Sequence, residues 1–203
     1  ALSSAASDVY KRQVEDQGDA FGDLGVLFIL IVILVYIVMA TQFESLLFPF
    51  IIMFTIPFAF TGVFLALWMT STPLSLIALI GAIMLVGIVT KNGIVMVDYM
   101  NLLVERGSGV FDAVIAGGKS RLRPVLMTSF TTILGMLPLA IGTGAGSETW
   151  QPMGIAVIGG LTCSTLLTLF IIPALYSVFV NRSQRKEKEK LARLSAEHQA
   201  SVH

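Results

Sequence analysis

Lys91 stands where its chemistry is costly. It lies more than halfway along the apolar run Leu74–Tyr99, and the next charge, Asp98, comes only after Asn92-Gly93-Ile94-Val95-Met96-Val97. A cation at the centre of a bilayer costs about 2.5–3.5 kcal/mol on insertion scales. A long lysine stem can snorkel to the headgroups, but here the interface is more than a helical turn away. A functional amine facing the interior of a helix bundle is therefore expected. An ammonium in hydrocarbon needs a carboxylate opposite it. Asp98 shares its helix face but stands about 10.5 Å along the axis, at 1.5 Å per residue. Glu44 falls in a loop, and no Asp or Glu lies mid-span. Either the amine is neutral in place or its partner comes from a segment outside these residues. The second reading is favoured, so the chain is expected to be part of a longer protein.

A second polar stripe accompanies it. Arg121, Thr128, Thr132 and Gly135 follow spacings of seven, four and three, one face of a helix. Together with Lys91, the stripe looks like a route for a proton. The competing reading is that such hydroxyls only bond to their own helical turn or fill an interface. Gly81, Gly87 and Gly93 would let a neighbouring helix approach close to Lys91. Gly142-Thr-Gly-Ala-Gly146 resembles a phosphate loop only superficially, because it follows an apolar span and lacks the Lys-Ser/Thr ending. The single cysteine, Cys163, excludes an intrachain disulfide and a multi-cysteine metal site. It reads as a small packing residue. Met84, Met96 and Met100 read as helix fillers. With no nucleophile–base pair and no ligand-spaced cluster, neither an enzyme, a cofactor nor a bound metal is expected.

These residues must be positioned by membrane helices. The chain is 55% hydrophobic and 13% charged, with mean hydropathy +0.84. A soluble domain carries about a quarter charged residues. A spanning helix needs about 20 mostly apolar residues, and five stretches qualify: Leu24–Ala40, Leu46–Met69, Leu74–Tyr99, Pro124–Ile141 and Met153–Val180. The predicted fold is an all-α membrane protein, a bundle of five transmembrane helices. A kink is expected near Pro57. Residues 1–23 read as a polar extracytoplasmic stub, patternless to about Gly18 and in its first residues not required to be native to the protein. Residues 24–180 form the transmembrane domain, and 181–203 a charged cytoplasmic tail, read as a solvated or frayed helix. Within Gly109–Gly118, residues Val110, Phe111, Val114 and Ile115 share a side that suits either a short element on the membrane surface or an ordinary connecting helix.

Orientation follows from Lys and Arg. Arg106, Lys119, Arg121 and Arg123 lie between spans three and four, and Arg182, Arg185, Lys186, Lys188, Lys190 and Arg193 lie in the tail. The connections Thr70–Pro73 and Gly142–Gln151 have none. The positive-inside rule then places the N-terminus outside and the C-terminus in the cytoplasm. The basic tail is a solvated face rather than a nucleic-acid contact.

Several motifs in series resemble one family. Gly87-Ile-Val-Thr-Lys-Asn-Gly-Ile-Val-Met-Val-Asp98 is similar to the lysine-bearing helix of resistance-nodulation-division exporters. Arg121-Leu-Arg-Pro-Val-Leu-Met-Thr-Ser129, Gly135-Met-Leu-Pro-Leu139, Gly142–Gly146 and Gln42-Phe-Glu-Ser-Leu-Leu-Phe-Pro49 fit the same family. The resemblance spans about Ala20 to Val180 and is strongest to the multidrug branch, over its helices eight to twelve. It implies a proton-driven secondary transporter of the bacterial inner membrane that exports amphiphilic compounds. It implies that Lys91 faces an aspartate pair in the missing N-terminal half, with Asn92, Arg121 and Thr128 joining the proton relay. A homotrimer, a periplasmic adaptor and an outer-membrane channel are implied partners beside membrane lipids. Substrate residues are not implied by these helices. Metal-ion or lipid export, and a non-transporting scaffold or translocation accessory of related fold, remain alternatives.

Overall fold

A computed structural model describes residues 2–142, 144 and 146–201, with side chains over 14–142, 144 and 146–182 and at Lys11. The helices are α1 (Leu2–Phe43), α2 (Leu47–Met53), α3 (Ile56–Met69), α4 (Leu76–Glu105), α5 (Val110–Ile141) and α6 (Ser147–Ser201). Five stretches are long and apolar enough to cross a membrane: Val14–Phe43, Leu47–Met69, Leu76–Glu105, Val110–Ile141 and Ser147–Arg182. The chain is thus an all-helical, five-span membrane protein, as its hydropathy requires.

Local chemistry sets the helix ends. Ser75 is an extended N-cap whose hydroxyl accepts from the Ala78 amide at 3.2 Å, satisfying one of the free donors of the first turn. Gly142 ends α5 in the left-handed region, φ 71°, and its amide reaches the Pro138 carbonyl, the conformation glycine favours at this position. The second span breaks at Phe54–Thr55 rather than at Pro57 itself. Pro57 falls in the first turn of α3, where its missing N–H would have had no helical partner anyway.

Two segments differ from the sequence expectation. The backbone before the first span is helical from Leu2, although its residues show no apolar period. The tail is helical to Ser201, as its reading as a helix had it. Gly109–Gly118 is neither a separate surface element nor a connector, since it is the start of α5. Val110, Ala113 and Gly117 are buried there while Phe111 and Ile115 point away. A side chain at Gly117 would come within 2.7 Å of Met100. The inward face was thus drawn by small residues, which hydropathy does not mark.

α6 is the hub, packed against α3, α4 and α5. Lipid offers no hydrophobic drive between helices, so close approach of small residues carries the packing. A Cβ on Gly154 would lie 2.7 Å from the Ala140 amide nitrogen, and one on Gly62 would lie 2.7 Å from the Gly159 carbonyl oxygen. Cys163 packs its Cβ against Gly62, the filler role expected of it. One core cluster gathers about Leu85 and Leu161, the other about Met100, Ile172 and Tyr176. α1 touches mainly α2 and α4. Its span is only 6% buried, which leaves most of its surface to lipid or to further helices.

Candidate functional site

The middle of α4 presents two unlike faces. Ala82, Leu85, Val89, Gly93, Met96 and Met100 are buried within the bundle. Met84, Gly87, Lys91 and Asp98 are exposed, at spacings that form one stripe. Lys91 therefore does not point into the packing of these five spans but lies on the face they leave open. The buried face of α4 is already filled by apolar side chains from α2 and α6, leaving no room for an ammonium. Of the three glycines expected to admit a neighbour, Gly81 meets Met153 and Gly93 meets Ile52 and Ile172, whereas a Cβ on Gly87 would meet nothing within 4 Å. The gap one turn before Lys91 is unfilled by any described residue. Asn92, beside it, is half-buried.

Arg121 is half-buried on α5, with its guanidinium carbon 4.6 Å from the centre of the Tyr99 ring. A cation over an aromatic face is attracted by the ring quadrupole. Its Nε is buried and has no hydrogen-bond partner among the described residues. The Arg121–Tyr99 contact, with Gly117 against Met100, fixes the register of the antiparallel α4–α5 pair. Eight residues back along α4 and on along α5 from that contact lie Lys91 and Ser129. Thr128 therefore sits at about the depth of the amine.

The threonine hydroxyls of the stripe bond within their own helix. Thr128 donates to the Val125 carbonyl at 2.9 Å and Thr132 to the Thr128 carbonyl at 2.9 Å. Thr128 and Gly135 are exposed, and Thr132 half-buried. The residue that turns inward is Ser129, bonded to Thr165 of α6 at 2.9 Å. Sequence reasoning missed this pair, the Tyr99 platform and the bond from the Tyr176 hydroxyl to Asn101 Oδ1 at 2.6 Å. Only Tyr99 had a local signal, an aromatic on the lysine's own helix near the basic segment. Among the described residues, no group of three or more His, Cys, Asp or Glu could hold a metal ion.

These features define a multi-span membrane protein whose mid-span amine lies on a face its own helices leave open. Residues 1–180 match the model of the AcrB/AcrD/AcrF family, and the chain belongs to that family, within the resistance-nodulation-division class. The match includes the polar segment before the first span, whose membership was in doubt. The chain is 44% identical over 156 residues to the multidrug resistance protein MdtC of Erwinia tasmaniensis, covering 76% of this chain and 15% of that protein. It is 39% identical over 172 residues to the swarming motility protein SwrC of Bacillus subtilis, covering 84% and 16%. Among solved structures, a heavy metal efflux pump superposes with TM-score 0.77 at 32% identity, covering 83% of this chain and 17% of that one. The chain thus spans about a sixth of the length of the relatives it matches.

Proposed function

We propose that these five spans are the C-terminal transmembrane part of a proton-driven exporter that moves amphiphilic compounds out of the cell. The single observation that carries this reading is the exposed, mid-helix Lys91 on a face with Gly87 open beside it. A lone cation costs too much against lipid to be retained there without a partner. The uncovered face is where a further helix bearing carboxylates would dock. When such an acid is ionised it attracts Lys91, and when a proton neutralises it the attraction weakens and the helices repack. Asn92, Arg121 and Thr128 are placed in the relay by this reading, with Thr128 at the depth of the amine and Arg121 nearer the basic end. The same reading puts the N-terminus on the periplasmic side of the bacterial inner membrane and the C-terminus in the cytoplasm. It also makes the complete protein a homotrimer with adaptor and outer-membrane partners.

The test uses the complete protein in proteoliposomes with an imposed pH gradient. Lys91→Ala should abolish both dye export and the accompanying proton flux while the protein still assembles. Retention of both would favour a non-transporting scaffold. A second reading, metal-ion export, is favoured by the superposition on the heavy metal efflux pump. Measuring divalent-metal and dye transport side by side in the same vesicles separates the two.

A further inference from the structure

A cleft opens at the end of the bundle away from Arg106, Lys119 and Arg123. It lies where α3 and α5 end and α6 begins, and it holds about 410 Å³. Met69 and Thr70 wall it on one side, Leu137 and Ile141 on the other, and Gln151 and Ile158 of α6 lie between them.

The turn of α6 sets which way the cleft faces. A Cβ on Gly81 of α4 would meet Met153, and one on Gly160 would meet Leu85 of α4. Gln151 and Ile155 stand two residues either side of Met153, and Ile158 two before Gly160. At 100° per residue each is turned about 160° from the α4 side. The cleft therefore opens on the far side of α6 from α4. Lys91 and Gly87, on the outer face of α4, are across the bundle from it.

Its mouth lies at headgroup depth. Both tryptophans of the chain, Trp68 and Trp150, stand exposed at this end, one in the last turn of α3 and one in the first turn of α6. Tryptophan concentrates at the membrane–water interface. From Gln151 to Gly159 the cleft runs about 12 Å along α6 at 1.5 Å per residue. One leaflet of the hydrocarbon core is about 15 Å deep.

The chemistry of the lining is graded in the same direction. Its polar members, Thr70, Thr72 and Gln151, are all near the mouth, and the rest is apolar. No Lys or Arg lies in 70–73 or 142–151, and Glu148 is exposed one turn before Gln151. A full negative charge there outweighs the partial charge of about +0.5 at the start of α6, so the mouth favours an ammonium over an anion. A helix is too thick to be the occupant. It is about 10–12 Å across, and a single turn of it fills roughly 400–600 Å³, the whole cleft. An alkyl chain is thin enough to run the full length.

We propose that the cleft binds one phospholipid with an ammonium headgroup, of the phosphatidylethanolamine type. One acyl chain lies between α3 and α5 on α6, the ester region meets the Gln151 amide, and the ammonium stands near Glu148. The lipid closes the gap over the hub helix, whatever the complete protein transports.

In the complete protein, stripped of lipid in detergent, added phosphatidylethanolamine should raise the melting temperature, because a ligand of the folded state stabilises it. Phosphatidylglycerol should raise it less. Leu137→Trp, which adds bulk to the cleft from an exposed position, should abolish the difference between the two lipids. Glu148→Gln should raise the phosphatidylethanolamine concentration needed for half the shift by roughly twofold to fivefold, the range of an exposed ion pair. A map in phosphatidylethanolamine nanodiscs should show elongated density from Gln151 towards Gly159. The proposal is overturned if the two lipids act alike on the parent, if the Leu137→Trp protein still tells them apart, or if Glu148→Gln leaves the concentration unchanged. A map with a helix or no density in the cleft overturns it too. So does loss of the lipid shift in the presence of saturating transported dye, since the cleft would then serve the cargo. Should Leu137→Trp fail to assemble, the parent lipid comparison and the map decide.

Discussion

The two faces of α4 belong to one apolar span and do opposite things. On the inner face Gly93 is pressed between Ile52 and Ile172, and Met96 and Met100 are wholly enclosed. On the outer face Gly87 meets no atom within 4 Å and Lys91 and Asp98 stand exposed. The inner face is finished within these five spans, whereas the outer one is complete only against something further. A membrane helix that puts its charge on the unfinished side keeps that charge available to a partner that can come and go. A charge on the finished side would be locked into packing that transmits strain but does not readily switch.

The largest expected effect breaks the outer face. If Lys91 meets a buried carboxylate, Lys91→Ala strands that acid at a cost of ~3–5 kcal/mol, more than about a hundredfold in an equilibrium. Proton-coupled uptake by vesicles carrying the complete protein reads this directly, and near-normal flux would refute the pairing. Next comes the inner packing. Gly154→Val drives a side chain into the Ala140 backbone, and such overpacking typically costs about 1–3 kcal/mol. A fall in melting temperature in detergent is expected. Gly93→Ala should destabilise in the same assay, with Ile52 Cγ2 at 2.8 Å from the added carbon, while Gly87→Ala should leave stability level or raise it by up to about 1 kcal/mol through helix propensity. Equal losses at the two glycines would erase the distinction between the faces. Gly87→Leu sharpens it: a docked helix would be displaced and transport lost, whereas a lipid-facing surface would tolerate the change. The smallest effect is expected from Tyr176→Phe, which removes one hydrogen bond to Asn101 worth about 0.5–1.5 kcal/mol. Its readout is again thermal melting, where a shift larger than that of Gly154→Val would be contrary to expectation.

The spans were legible because about 20 apolar residues have few other uses, and five were found where hydropathy put five. Lys91 was legible for the same reason inverted, a charge where none should be. Which way it points was not, since most residues on both faces are apolar and packing against α2 and α6 decides which face is covered. The start of α5 was misread because Lys119, Arg121 and Arg123 interrupt the apolar run although they do not interrupt the helix. Thr128 was read correctly as part of one face, yet Ser129 next to it makes the interhelical bond. A shift of one residue turns a side chain by about 100°, and sequence fixes that angle only when a partner is known.

The interruption in the second span has a mechanical consequence. Pro57 has no N–H to give to the Met53 carbonyl, so the hydrogen bond that would fuse α2 to α3 does not exist in any conformation of the chain. The Thr55 hydroxyl and amide both turn back to the Ile52 carbonyl instead, closing the upper segment on itself. The seven residues of α2 and the fourteen of α3 are therefore two helices joined without the hydrogen bond that a single continuous rod would have there.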